Sequence, residues 1–301
     1  MSRRLGRRLE AALVRALLAL LRALGPVRAS NLGGAVARTI GPWLPVSRVA
    51  ERNLRHAMPE RGADERRRII RSVWDNLGRT AAELPHLPAL GPAAAADGPG
   101  WEAEGLDILR ERKAAGGPMI LFSGHLGFWE MMPPLLARNA MPMASFYRAA
   151  ANTEVDALIN ALRREAAGTD VPLFGKGAQG ARAAMQYLGK GGWVGMLVDQ
   201  KMNEGIEARL FGRPAMTATA AAAFALRFHC PLLPGHVVRV GPARWRLIVE
   251  PPLPVPAEGD PHARIAALTQ AMNDCLERWI RERPEQWLWL HRRFPQEVYR
   301  T

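Results

Sequence analysis

The sequence lacks the long apolar runs that a protein with several membrane spans requires. No stretch of its 301 residues approaches ~18 consecutive apolar positions, the length that begins to indicate a spanning helix. Cysteine is also scarce, because only Cys230 and Cys275 occur and they lie far apart in the chain. This scarcity argues against a disulfide framework and against a zinc site built from cysteines, and it fits a reducing compartment.

Several signatures of ligand binding are missing as well. The glycine-rich stretch at residues 189–192 does not have the spacing of a phosphate-binding loop, and no recognised nucleic-acid-binding motif occurs. The histidines show no ligand-like spacing, so we predict no metal site, and we expect no cofactor. The composition, with 48 % hydrophobic and 23 % charged residues, is that of a folded globular protein and excludes wholesale disorder.

The charge balance is strongly basic. Lysine and arginine number 41 against 28 acidic residues, which gives a formal charge of +13. Basic proteins favour polyanions, such as nucleic acids, phosphorylated ligands and anionic lipid surfaces. Residues 1–30 carry seven arginines and one glutamate, so nearly half of the excess charge lies in a tenth of the chain.

The first 28 residues predict a basic amphipathic helix. Leucines define one helical face at steps of three and four: Leu5, Leu9, Leu13, Leu17, Leu20 and Leu24. Arg8, Arg15 and Arg22 recur every seven residues and define another face. This pattern is typical of a helix that lies in a membrane interface with its arginines near anionic headgroups.

Three alternatives to an interfacial helix are a secretory signal, a single membrane span and an ordinary surface helix. A secretory signal would need an uninterrupted apolar region and a small-residue cleavage site, but Arg15 and Arg22 interrupt the region and no such site follows. A single span requires the arginines to snorkel, at a cost of several kcal/mol on insertion scales. An ordinary surface helix packed on its own domain is the remaining alternative. We expect membrane association, through an interfacial helix or a single anchor.

Helical patterns alternate with short apolar runs through the middle of the chain. Residues 118–122 and 193–198 are predicted buried strands, and 232–240 and 245–250 alternate like strands. Predicted helices cover residues 48–60, 63–83, 105–112, 153–167, 178–188, 219–229 and 263–282. The alternation predicts an α/β fold, with a central, mostly parallel sheet flanked by helices.

The glycine and proline content guides the division of the chain. Gly33, Gly34, Pro42 and Pro45 are expected to break helix over residues 29–47. The predicted organisation is a membrane-associating helix at 1–28, a helical region at 29–100 and an α/β core at 101–301.

The segment Ser123–Glu130, SGHLGFWE, carries the sharpest chemical signal. A predicted strand runs directly into Gly124 and His125, and ligands of α/β sheets bind at such strand ends. Gly124 and Gly127 allow a tight turn with the backbone close to a ligand. A histidine there can act as a general base near neutral pH, and a nearby carboxylate such as Glu130 can fix its tautomer.

At this segment the chain resembles the late acyltransferases of lipid A biosynthesis, within the glycerolipid acyltransferase superfamily that is marked by H-x4-D/E. Four further regions carry the resemblance: 52–60 (RNLRHAMPE) with 74–79 (WDNLGR) and Glu83; 146–148 (FYR); 197–205 (LVDQKMNEG) with 211–217 (FGRPAMT); and 284–294 (PEQWLWLHRRF). The last region is long enough to be hard to obtain by chance. The resemblance covers about residues 45–297 and implies a glycerolipid acyltransferase-like fold.

The resemblance implies a reaction and a first set of residues. His125 would deprotonate a hydroxyl of a glycolipid acceptor, with Glu130 as its partner, and acyl carrier protein would deliver the acyl chain as a thioester. A thioester is already activated, so neither a metal nor a covalent enzyme intermediate is needed. Arg148, and Arg163 or Arg164, are implied as substrate-binding residues, since guanidinium groups suit phosphate and carboxylate.

The other candidate residues follow from the same resemblance. Backbone N–H groups of the turn at Gly124 and Gly127, together with Arg148, are candidate donors to the tetrahedral oxyanion. Asp199 begins the D-Q motif and is expected to orient a loop or an arginine near the substrate, with a purely structural role as an equal alternative. Ala149 stands where the family usually has proline, which leaves the placement of Arg148 open. The tryptophans of 284–294 are expected to pack in the core or face the membrane.

The expected function is acyl transfer from acyl carrier protein to a hydroxyl of a lipid A precursor, at the cytoplasmic face of a bacterial inner membrane. The inner-membrane lipids and the glycolipid acceptor are then its partners, and no nucleic acid is. One alternative is an acyltransferase for another acceptor, such as a lysophospholipid, ornithine lipid or glycolipid. A basic nucleic-acid-binding protein is a second alternative, disfavoured because no such motif occurs.

Overall fold

The N-terminal part of the chain is helical in the computed structural model, which describes residues 2–95 and 97–300. Its four helices are α1 at Ser2–Leu24, α2 at Pro26–Ile40, α3 at Ser47–Ala57 and α4 at Ala63–Glu83. Gly25 separates the first two with a φ of 74°, and Pro26 opens α2 at a position where its missing N–H has no partner to lose.

Helix α1 turns its leucine face outward. Leu5, Leu9, Leu13, Leu17 and Leu20 are 54–71 % exposed. Part of the arginine stripe faces the helix at Thr153–Ala167, α7, instead. Arg15 lies 3.8 Å from the Glu154 carboxylate and Arg22 lies 3.1 Å from that of Glu165. The predicted N-terminal helix is confirmed, but two of its three stripe arginines pair with the protein. No helix within residues 2–95 and 97–300 is both long and apolar enough to cross a membrane.

The expected break in the helix over 29–47 is partly right: α2 ends at Ile40, before Pro42 and Pro45, but it continues through Gly33 and Gly34. A Cβ atom on Gly33 would lie 2.4 Å from the carbonyl oxygen of Gly78 in α4, and one on Gly78 would lie 2.2 Å from that of Gly33. These glycines let the two helix backbones touch, and this contact offsets their poor helix propensity. The predicted boundary at residue 28 consequently falls inside α2.

A seven-stranded sheet forms the centre of the rest of the chain, in the order β1-β9-β8-β2-β5-β3-β4. Its strands are β1 at Gly100–Glu104, β2 at Met119–Ser123, β3 at Met143–Tyr147, β4 at Leu173–Gly175, β5 at Trp193–Leu197, β8 at Leu232–Gly241 and β9 at Arg244–Val249. All neighbours are parallel except β8 and β9. A separate antiparallel hairpin joins β6 at Lys201–Leu210 to β7 at Arg213–Thr217.

Six helices accompany these strands: α5 at Leu106–Ala115, α6 at Met132–Arg138, α7 at Thr153–Ala167, α8 at Ala178–Gly189, α9 at Ala220–Arg227 and α10 at Pro261–Glu282. All five residues of the central strand β2 are buried, so both faces of the sheet are covered. Ile120 and Phe122 belong to one core cluster and Met119 and Leu121 to the other. The predicted α/β fold with a mostly parallel sheet is confirmed.

A buried carboxylate connects the helical region to the sheet. Glu83, at the end of α4, is fully buried and forms an ion pair with Arg239 of β8. It also accepts hydrogen bonds from the Ala243 N–H at 3.0 Å and from the Trp245 indole at 3.1 Å. Because every donor comes from the β8–β9 pair, α4 is held in one position relative to the sheet.

We expect Glu83→Gln to destabilise the fold by about 3 kcal/mol, because it leaves the nearly buried Arg239 charge without its counter-ion. Chemical denaturation measures the change. Glu60→Gln is the matched control: Glu60 lies 3.9 Å from Arg281 on the surface, and its loss should cost less than about 1 kcal/mol. Equal stabilities of the two variants would contradict the structural role of Glu83.

Candidate active site

His125 lies just past the carboxyl end of β2, in the middle of the sheet between β8 and β5. The turn that holds it depends on its glycines. Gly127 has a φ of 54°, and a Cβ atom there would lie 2.2 Å from the Val237 carbonyl oxygen. A Cβ atom on Gly124 would lie 2.8 Å from the Leu276 side chain. Gly127 is therefore needed for the backbone to fit against β8, while Gly124 leaves room for the Leu276 side chain of α10.

The backbone N–H groups of the three residues after Gly124 already have partners. His125 N–H donates to Asp199 Oδ2 at 2.9 Å, Leu126 N–H to the Gly124 oxygen at 2.8 Å, and Gly127 N–H to the Gln286 oxygen at 3.0 Å. The Gly127 amide is thus occupied, contrary to its expected role as an oxyanion donor, and neither glycine lines the cavity described below. Substrate binding by Gly124 stays a prediction.

The carboxylate that contacts His125 belongs to Asp199, which follows β5. His125 Nδ1 lies 2.8 Å from Asp199 Oδ1, while the other carboxylate oxygen accepts the His125 backbone N–H. Asp199 is completely buried and contacts both the ring and the backbone of His125, and its expected role of orienting a loop near the substrate stays a prediction. The two bonds fix both the ring and the backbone of His125 relative to one carboxylate.

The electrostatics of this pair favour an ionised aspartate. Burial alone would raise the pKa of Asp199, but the charge and hydrogen bonds of His125 hold that pKa well below its usual range. An ionised Asp199 accepts from Nδ1–H, so Nε2 is left as the basic nitrogen of the neutral imidazole. Such an arrangement can take a proton at Nε2 and stabilise the imidazolium that forms.

The closing stretch of the sequence surrounds Asp199. The Trp287 indole donates to Asp199 Oδ2 at 2.8 Å, and His291 Nε2 lies 3.3 Å from the Asp199 backbone oxygen. Burial lowers the pKa of His291, which favours its neutral form. Trp129 meets the His125 ring edge-on, with centroids 5.1 Å apart. Trp287, expected only to pack, is thus also a polar partner of the site.

Glu130 was predicted to be the partner of His125, but it does not contact His125. It binds Arg163 of α7 instead. The Arg163 Nε lies 2.8 Å from Glu130 Oε2, and its Nη2 lies 2.6 Å from Oε1. Burial would lower the pKa of Arg163, but Glu130 raises it above the usual value. The bidentate geometry occupies both carboxylate oxygens, so Glu130 positions an arginine and Asp199 positions the histidine.

A cavity of about 270 Å³ opens beside His125. Five predicted site residues line it: His125, Glu130, Arg148, Arg163 and Arg164. The rest of its wall is mainly apolar and includes Leu121, Met132, Met143, Leu173 and Met196. Arg148 and Arg164 are exposed, as is Lys176, which was not among the predicted site residues. A basic rim therefore surrounds an apolar interior.

Two further lining residues were missed for different reasons. Trp129 lies inside the H-x4-E segment, so its proximity to His125 could have been predicted from the sequence. Lys176 lies in a short glycine-flanked loop after β4, and only the order of the strands brings that loop to the cavity. Gln200 joins it there, accepting a hydrogen bond from the Lys176 ammonium at 3.1 Å.

The fold and this site define an α/β protein with a histidine–aspartate pair at the carboxyl end of a central strand. The chain belongs to the family described as bacterial lipid A biosynthesis acyltransferase, which it matches over residues 2–296. It is similar to "Lipid A biosynthesis acyltransferase 1" of Shigella flexneri and to "Lipid A biosynthesis myristoyltransferase" of Escherichia coli strain K12. Each is 26 % identical over 245 residues, which cover 79 % of this chain and 72 % of the relative.

We expect Glu130 and Arg163 to act as one unit, separate from the pair formed by His125 and Asp199. Glu130→Gln, Arg163→Gln and the double variant should therefore reduce acyl transfer to a similar degree, about 10- to 100-fold, because either change breaks the same pair. Rates of lipid A precursor acylation, measured by mass spectrometry, test this non-additivity.

Asp107→Asn, at an exposed carboxylate of α5, is the matched control and should leave the rate unchanged. Fully multiplicative losses for Glu130→Gln and Arg163→Gln would contradict the unit.

Proposed function

We propose that this chain transfers a fatty acyl group from acyl carrier protein to a hydroxyl of a lipid A precursor, with His125 as the general base. The observation that carries the proposal is the contact between His125 and the buried Asp199 at an apolar cavity. The family supplies the acceptor class, and the geometry supplies the candidate chemistry.

In the proposed step, His125 Nε2 takes the proton of the acceptor hydroxyl while its oxygen attacks the thioester carbonyl. The carbon–sulfur bond of the resulting tetrahedral intermediate then breaks, and the departing thiolate receives the proton from the imidazolium. Asp199 stabilises the imidazolium through Nδ1, and no covalent intermediate with the enzyme forms.

The oxyanion of that intermediate needs donors, and the amides of residues 125–127 are already hydrogen-bonded. Arg148 lines the cavity, is exposed, and has no hydrogen-bond or ion-pair partner among the residues that the structure describes. We therefore propose the Arg148 guanidinium as a donor to the oxyanion or to an acceptor phosphate. Arg163, by contrast, is held by Glu130 and positions the wall of the site.

Acyl carrier protein, the proposed acyl donor, fits the charge of the cavity rim. Arg148, Arg164 and Lys176 are exposed cations around one opening, and acyl carrier protein is strongly acidic. Complementary charges accelerate the encounter and orient the carrier so that its thioester faces His125. The apolar interior is then available for the acyl chain.

We also propose that α1 lies in the membrane interface at the cytoplasmic face of the inner membrane. Its outward leucines form an apolar face, and Trp43, just after α2, is 87 % exposed. Tryptophan is favoured at the level of lipid headgroups, and a helix with this pattern buries its apolar face among them. Arg7 and Arg8 of α1 are exposed and available to anionic lipids.

The proposal is tested with purified enzyme, acyl carrier protein loaded with a fatty acid, and a lipid A precursor. We expect His125→Ala to lower the rate about 100-fold or more, the usual scale for loss of a general base. The product is detected by mass spectrometry as the added acyl mass, and the acyl carrier protein thioester should outperform the coenzyme A thioester.

His262→Ala, at an exposed histidine near the start of α10, is the control and should retain full activity. A near-normal rate for His125→Ala would remove it from the mechanism, and equal use of both thioesters would count against the donor.

The membrane proposal is tested by a double substitution on the outward face of α1. Leu9→Glu together with Leu13→Glu should weaken binding to anionic vesicles by about 100-fold, because two leucines no longer enter the bilayer. Sedimentation with vesicles measures the binding. Val255→Glu, at an exposed residue far along the chain from α1, is the control, and equal binding of the two variants would rule out the α1 surface.

A further inference from the structure

The cavity beside His125 follows the face of the sheet. Leu121 of β2, Gly195 of β5 and Ser145 of β3 lie side by side in register, and all three line the cavity. One step nearer His125, Ser123 and Leu197 are also paired and also line it. The cavity therefore runs from His125 toward the amino ends of these parallel strands.

The next row of residues marks where the cavity stops. Met119, Trp193 and Met143 are in register across β2, β5 and β3. Of the three, only Met143 lines the cavity, while Met119 and Trp193 are buried in the core cluster beneath it. At 3.3 Å per residue, this row lies about 13 Å below Ser123 along the strand.

The Met143 side chain extends over the neighbouring row, which contains Gly195, because Gly195 has no side chain. A Cβ atom on Gly195 would lie 2.5 Å from Met143 Cε and 3.0 Å from its Sδ. The end of the methionine side chain thus lies over Gly195, in the space that any other residue there would fill. Gly195 does not have a positive φ, so its backbone conformation does not require glycine. The glycine instead leaves space for the end of the Met143 side chain.

We propose that Met143, lying over Gly195, is the floor of the acyl cavity and sets the longest acyl chain that this enzyme uses. The inference rests on the proposed function, since it assigns the cavity to the acyl group of the donor. An acyl chain whose carbonyl is at His125 enters along the strands and ends against the Met143 thioether. A flexible, unbranched side chain at this place ends the cavity without the rigidity of an aromatic ring.

Two substitutions move this floor in opposite directions. Met143→Ala removes Cγ, Sδ and Cε and deepens the cavity by about two carbons of chain length. Gly195→Ala adds a Cβ where the Met143 methyl lies, which pushes that methyl into the cavity and shortens it. Gly195→Ala displaces only the end of a flexible side chain, so it keeps the test valid even where Met143→Ala folds poorly.

The test compares acyl carrier proteins loaded with saturated chains that increase in two-carbon steps, in competition for one lipid A precursor. We expect the preferred chain to become longer in Met143→Ala and shorter in Gly195→Ala. Selectivity between neighbouring lengths should change at least about tenfold, since one methylene in an apolar pocket discriminates on that scale. Met141→Ala truncates a nearby buried methionine that does not line the cavity, and its preference should match the wild type.

A second readout separates this inference from the proposed function. Native mass spectrometry of the same proteins with free saturated fatty acids of graded length reports the depth of the cavity without any transfer. If the fatty-acid length that binds best changes in the variants while the wild type shows no transfer activity, the result supports Met143 as the floor of the cavity and refutes the proposed function. Transfer activity with the same chain preference in all four proteins overturns the floor and leaves the proposed function standing.

Discussion

The site depends on one buried charge, the carboxylate of Asp199. Burying an ionised carboxylate is costly unless its oxygens receive hydrogen bonds, and here they accept from the His125 ring, the His125 backbone and the Trp287 indole. These donors come from segments far apart in the chain, so the charge holds three parts of the fold together. Any displacement of the turn after β2 or of the closing stretch would remove hydrogen bonds from the buried Asp199 carboxylate. Because such displacements are costly, the histidine is held in a single orientation.

The two carboxylates of the site have separate tasks, and sequence distance misleads about which is which. Glu130 is five positions from His125, yet it binds Arg163, while Asp199 is 74 positions away and contacts the ring. The register explains this result. Ser123 pairs with Leu197 on adjacent parallel strands, and both His125 and Asp199 stand two residues beyond that pair. The same edge of the sheet therefore brings them together.

Much of the fold was accessible from hydrophobic periodicity. The predicted helices at 63–83 and 153–167 have the same bounds as α4 and α7, and the apolar runs at 118–122 and 193–198 are β2 and β5. The short strands β1, β3 and β4 were missed, as was the hairpin of β6 and β7, because pairing partners define them more than their own sequence does. Gly33 and Gly34 misled for a related reason. A glycine that permits close packing of two helices looks, in one dimension, like one that ends a helix.

Helix α7 connects the proposed membrane surface to the proposed chemistry. Along one side it pairs with α1, through Glu154 with Arg15 and Glu165 with Arg22, and just before it Asn152 donates to Glu10 at 2.9 Å. On its other side Arg163, Arg164 and Ala167 line the cavity. Because α7 is one rigid element, the outward leucines of α1 and the opening beside His125 keep a constant separation. On the proposed function, α1 in the interface would let a glycolipid leave its chains in the bilayer while one hydroxyl reaches His125. The helix proposed to place the enzyme would then also set the depth at which it reacts.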